Sequence, residues 1–133
     1  MRLMRRSWGM LALLALTGFA ACMGMSPEEQ AALAAQGYYR HLAAGEYEQF
    51  LEGRVGTDSL PADYREQLLT ACRQFAAQQQ HAHGGISGVE VASAVTDSLD
   101  DYTCVMLMLC YGDSTAEEIA VPMVCRDGRW RMK

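Results

Sequence analysis

Residues 102–133 read YTCVMLMLCYGDSTAEEIAVPMVCRDGRWRMK, and this stretch decides the fold. Tyr102 to Tyr111 is an almost wholly apolar run, closed by Gly112-Asp113-Ser114-Thr115. Ile119 to Arg126 is a second run, and Asp127-Gly128 supplies two residues that tolerate positive φ, the strongest short hairpin signal. Arg129-Trp130-Arg131-Met132-Lys133 then returns as a last strand. Working outward, Val89, Val91 and Val95 share one face of an earlier strand from Ile86 to about Asp97, with Asp100-Asp101 in the following turn. Four runs joined by short turns predict an antiparallel meander.

Upstream of Ile86 the period lengthens to that of helices. Ser26-Pro27-Glu28-Glu29 combines an N-cap, a proline at the first helical position and an acid placed for a capping box, so a helix is expected from residue 27 to about Gly45. Leu33, Tyr38 and Leu42 mark its apolar side, and Ala31, Ala34 and Ala35 permit close approach of another element. A short helix follows from Glu46 to Glu52, ended by Gly53 and Gly56. A third is expected from about Pro61 to Gln80, with Tyr64, Leu68, Cys72 and Phe75 in helical spacing and Cys72 towards the core. Three helices and then four strands are an α+β pattern, with the helices packed on a curved antiparallel sheet.

The turns also suggest a register. The Asp127-Gly128 hairpin pairs Cys125 with Trp130 and Met123 with Met132, and a four-residue loop at 113–116 would pair Cys110 with Ile119 and Cys104 with Cys125. In that register Cys104, Met106, Met108, Cys110, Val121, Met123, Cys125, Trp130 and Met132 face the helices. Val105, Leu107, Leu109 and Val124, rimmed by Arg126, Arg129, Arg131 and Lys133, face away, and this apolar centre is the expected homodimer face. The favoured disulfides are Cys104–Cys125 and Cys72–Cys110; buried free thiols are the equal alternative, because cysteine spacing alone does not decide.

The N-terminus carries a targeting pattern. Arg2, Arg5 and Arg6 precede an apolar run from Trp8 to Leu16, too short for a span of roughly 20 residues, and small residues lead to Cys22. Phe19-Ala20-Ala21-Cys22 resembles a bacterial lipobox, with phenylalanine where leucine is usual. The expected organisation is a signal peptide over 1–21, a lipidated Cys22 with a linker over 22–26, and one domain over 27–133. Processing there would leave eight basic against sixteen acidic residues, a formal charge of −8. That balance opposes a nucleic-acid partner and leaves a lipid anchor as the hold on the membrane, in a bacterial cell envelope and facing the periplasm.

Gly45-Glu46-Tyr47 after the first helix, a polar third helix and the terminal Asp127-Gly128-Arg129-Trp130 hairpin together resemble the NTF2-like superfamily, and within it small bacterial lipoproteins with a lumazine-binding-like domain of unknown function. The resemblance spans nearly all of 26–133. It implies a cone between sheet and helices, frequent dimerisation through the sheets and, in some members, an Asp or His base inside the cone.

Chemistry is sparse. His41, His81, His83, Asp97, Asp100 and Asp101 are the candidate acids and bases, and none can be paired with an orienting group from sequence. His81-x-His83 lacks further ligands for a metal, and no cofactor motif is present. The expectation is a non-catalytic module for a small apolar ligand or an envelope protein, with Tyr38, Tyr64, Met106, Met108, Met123 and Trp130 lining the pocket or filling a core. The alternative is a pocket enzyme, isomerase- or dehydratase-like, of the same fold.

Overall fold

The computed structural model describes residues 24–133. The expected signal sequence and Cys22 lie outside the described residues. Ser26 Oγ accepts the Glu29 amide at 3.2 Å, and Pro27 occupies a position whose N–H would have no helical partner, so helix α1 runs Pro27–Ala43. Gly45, at φ 79, turns the chain into α2 (Tyr47–Glu52). A 3₁₀ turn (Thr57–Ser59) leads to α3 (Ala62–His83), which Gly84 ends in the left-handed conformation. Strands β1 (Ile86–Asp97), β2 (Tyr102–Tyr111), β3 (Ala116–Arg126) and β4 (Arg129–Met132) form one antiparallel sheet in the order β1-β2-β3-β4. This is the α+β meander that the sequence predicts. Among the described residues no helix is long and apolar enough to cross a membrane.

Helix α1 lies across one face of the sheet. Ala31 and Ala35 are fully buried and Ala32 nearly so, and these small side chains let the helix settle close onto Val89, Val105, Leu107, Leu109, Val121, Met123 and Met132. The space between α1 and the sheet is therefore core. Leu33, assigned to the buried stripe by spacing, is 53% exposed, because the alanines carry the contact.

The β3–β4 register is as expected: Cys125 pairs with Trp130 and Met123 with Met132, across a turn in which Asp127 and Gly128 both have positive φ. The β2–β3 register differs. Its loop, residues 112–114, starts one residue earlier and is one residue shorter, with Ser114 in the left-handed region at φ 69; the Ser114 N–H donates to the Tyr111 carbonyl and the Tyr111 N–H to the Thr115 carbonyl. Cys110 consequently pairs with Ala116, and Cys104 with Pro122. A slip of three residues is odd and the side-chain period is two, so the faces of β2 are exchanged. Val105, Leu107 and Leu109, expected on the outer face, lie beneath α1, while Cys104, Met106, Met108 and Cys110 line the outer face, half-buried. Val124, paired with Arg131, stays on the outer side and is buried, and Cys125 is exposed. Cys72, Cys104, Cys110 and Cys125 are all free thiols. The Cys104–Cys125 pairing fails because the true register separates the two residues, and Cys72–Cys110 fails because one thiol lies among the helices and the other on the outer sheet face.

Candidate functional site

A second core joins the helices. Leu42, Leu51, Leu69 and Cys72 are its buried residues, with Tyr39, Tyr47, Phe50, Leu68 and Phe75 packed against them. Tyr39 and Phe50 meet edge to face at 5.2 Å between ring centres. Helix α2 has only six residues and cannot cover the length of α3, and these two with the end of α1 leave an open cavity of about 260 Å³. Its walls are Tyr39, Leu42, Phe50, Leu51, Leu68, Ala71, Cys72 and Phe75, and its charged residue is Arg54. Leu51, Arg54 and Leu68 also border a smaller cavity of about 150 Å³ that reaches Val55, Thr57, Leu60 and Tyr64.

Burial pushes the Tyr39 phenol and the Cys72 thiol above their ordinary pKa values, while the positive charge of Arg54 opposes the shift on each. Both groups are therefore neutral donors near neutral pH. A protonated, buried thiol is a poor nucleophile.

Arg54 is fixed through its backbone. It forms an isolated parallel bridge to Met132, the Val55 N–H donates to the Met132 carbonyl at 2.9 Å, and the Met132 N–H donates to the Gly53 carbonyl at 2.6 Å. Thr57, almost fully buried, shares its hydroxyl proton between the carbonyls of Arg54 and Leu51 at 2.6 and 2.7 Å. Gly53 is needed at its position because a Cβ there would lie 2.5 Å from the Tyr38 ring. Tyr38 in turn donates its hydroxyl to the Trp130 carbonyl at 2.7 Å. Arg54 is exposed, and among the described residues its guanidinium has no ion pair and no hydrogen bond, like those of Arg40, Arg126 and Arg129, whereas Arg65 is held by Glu48, Arg73 by Glu66 and Arg131 by Asp58.

A polar cluster sits at the far end of α3. His83 Nδ1 lies 2.9 Å from Asp113 Oδ2, and Thr115 donates both its amide and its hydroxyl to Asp113 Oδ1. These bonds, Thr115 first and His83 next, hold the Asp113 carboxyl down to about 2. The His83 ring stacks on Tyr111 at 4.7 Å, and Tyr111 donates to Glu117; burial and that bond push its phenol up to about 12. The Gly112 and Asp113 amides donate to the carbonyls of Gly85 and His83. The acid, imidazole and phenol are engaged with one another, and the cluster ties the end of α3 to the β2–β3 turn.

The residues that sequence reasoning gathered into one pocket are dispersed. Tyr38 and Trp130 bind each other and, through Trp130 Nε1, Gln30 on α1. Met123 is fully buried core, Met106 and Met108 are on the outer sheet face, and Tyr64 alone borders a cavity of the helical layer. His41 pairs with Glu46 at the surface, His81 is exposed, and Asp97 accepts the Leu99 amide within the β1–β2 turn that also holds Asp100 and Asp101. Arg54 was missed. The sequence signal that marks it is a lone arginine between the two glycines that end the short helix, Gly53 and Gly56.

No protein-family model matches the chain, and no curated protein does. Among solved structures, a Campylobacter jejuni protein described as an NTF2-like transpeptidase superposes with a TM-score of 0.59, over 74% of this chain and 92% of that one, at 10% identity. The chain has an NTF2-like fold. Beneath α1 the sheet is filled by core, an apolar cleft lies within the helical layer, and two larger, more polar clefts of about 500 and 490 Å³ lie where the helices meet the start of β1.

Proposed function

We propose that this chain is a lipid-anchored, non-catalytic small-ligand-binding module of the bacterial cell envelope, and that its ligand site is the cavity between α2 and α3. The observation that carries the reading is that cleft: apolar walls with one exposed arginine, unpaired among the described residues, at the rim, the composition of a small-molecule site. The anchor rests on Arg2, Arg5, Arg6, the apolar run and Cys22. A catalytic role for the cavity, whether as a transpeptidase like the named Campylobacter protein or as an isomerase with an Asp or His base, lacks a support of its own. Its thiol is buried and held protonated, and the His83–Asp113 and His41–Glu46 pairs stand outside it.

A second reading has its own observation. Cys104, Met106 and Met108 line the outer sheet face beside Val95, which is 65% exposed, and a second copy or another envelope protein docking there would cover them. Native mass spectrometry of the protein, purified without reductant and incubated with an envelope extract, tests both. A reproducible small-molecule mass that disappears in Leu68→Trp, which fills the cavity, supports the ligand site. A mass that persists in that variant, or no adduct at all, overturns it. A dimer dissociated by Met106→Glu supports the docking face, and a monomer in every sample overturns that.

A further inference from the structure

We propose that the α2–α3 cavity selects a single-chain carboxylate amphiphile, with its tail against Phe50, Leu68 and Phe75 and its carboxylate on Arg54. The inference rests on the ligand-site reading above and adds the class of ligand. The cavity's own chemistry argues for a tail, because its surface is built from aliphatic and aromatic side chains. Its size favours a short tail: about 260 Å³ at ~30 Å³ for each water-sized group holds roughly nine non-hydrogen atoms, about seven carbons and a carboxylate, in a cleft open to solvent on one side.

The head group follows from Arg54. Glu48, Asp58 and Glu66 pair with Arg65, Arg131 and Arg73, and among the described residues the exposed Arg54 guanidinium at the cavity rim has no ion pair. Its backbone is held by Met132 and Thr57, which places the start of the side chain before any ligand arrives. A guanidinium is a planar fork that matches a carboxylate through two parallel hydrogen bonds and matches an alcohol or amine poorly. The Tyr39 and Cys72 side chains, neutral because burial keeps their protons on, present donors to an anion and no opposing charge. An acid-rich chain repels anions at long range, so a carboxylate would be recognised here only by this local arrangement.

The test is titration of the purified full chain with octanoate, octan-1-ol and octylammonium, followed by calorimetry and ligand-observed NMR. Octanoate should bind roughly 10- to 100-fold more tightly than octan-1-ol, as expected for a hydrogen-bonded charge, and octylammonium should not bind. Affinity should rise about fourfold per methylene from butanoate to octanoate and level off beyond octanoate, where the cleft is full. In Arg54→Gln the octanoate preference should vanish while octan-1-ol binding is unchanged, which also shows that the variant is folded; Arg54→Lys should restore part of the preference. Equal binding of octanoate and octan-1-ol by the unaltered protein overturns the carboxylate assignment and leaves the ligand site standing. Binding of none of the three probes, or octanoate binding that survives Leu68→Trp, overturns both.

Discussion

Replacing Gly53 by alanine tests the joint between the helices and the sheet. The backbone at Gly53, φ −72 and ψ −9, is ordinary for any residue, so the cost is spatial. The new Cβ would stand 2.5 Å from Cγ and Cδ1 of Tyr38 and 2.7 Å from Cε1. The ring cannot slide away freely, because its hydroxyl is bonded to the Trp130 carbonyl at 2.7 Å. Overpacking of this kind costs about 1–3 kcal/mol, and loss of the hydrogen bond adds about 0.5–1.5 kcal/mol. The lower entropy of the unfolded alanine chain offsets about 0.4–1 kcal/mol. The expected net loss is about 1–3 kcal/mol, a fall in Tm on the order of 5–20 °C for a domain of this size. Urea unfolding followed by circular dichroism measures it, with the slope unchanged and the midpoint lowered. Tyr38→Ala removes the obstacle, so Gly53→Ala made in that background should cost under about 0.5 kcal/mol. Equal costs in the two backgrounds, or a neutral Gly53→Ala in the unaltered protein, would refute the reasoning.

The β2 faces separate a pair of substitutions: Leu107→Ala should lose about 2–5 kcal/mol while Met106→Ala, on the outer face, loses well under that, and the reverse order in denaturant melts would reinstate the register expected from sequence. Thr57→Val, which leaves two carbonyls without their shared donor, should cost about 1–3 kcal/mol by the same assay. The Asp113 carboxyl is held near 2, so its stabilising effect is complete above the unfolded carboxylate range of roughly 4 and is lost as pH falls towards 2; Asp113→Asn should flatten stability across that window in acid melts. Tyr111 keeps its proton to about 12 while an unfolded tyrosine gives it up near roughly 10, so stability falls as pH rises through that interval, and Tyr111→Phe should remove that fall in alkaline melts.

The element order was legible because each boundary carries its own chemistry. Ser26-Pro27 starts α1, Gly84-Gly85 separates helix from strand, and Asp127-Gly128 can make only a tight turn. The faces of β2 were not legible, since Cys104 through Cys110 is apolar at every position and alternation has nothing to alternate with. Only pairing with β3 decides them, and that hangs on one residue of loop length at Ser114, a position whose left-handed backbone is not signalled by a glycine. The cavity was hidden for a different reason. Leu68, Cys72 and Phe75 read correctly as an apolar stripe, but whether a stripe closes or gapes depends on how far the six-residue α2 reaches along α3, a property of tertiary geometry. Alanines at 31, 34 and 35 announced close approach and did not announce that, with Ala32, it would fill the space under the sheet.

The bridge between Arg54 and Met132 ties the rim of a helical cavity to a four-residue strand at the sheet's edge. Such a strand can open without the rest of the domain, since sub-global openings break fewer contacts than complete unfolding. When it opens, the Met132 contacts to Gly53 and Val55 go with it. The amides of Val55 and Met132 therefore exchange hydrogen with solvent as one cooperative unit, although 77 positions separate them in the chain. A ligand that steadies the Arg54 segment would slow both, giving the cavity a reporter on an element that does not line it.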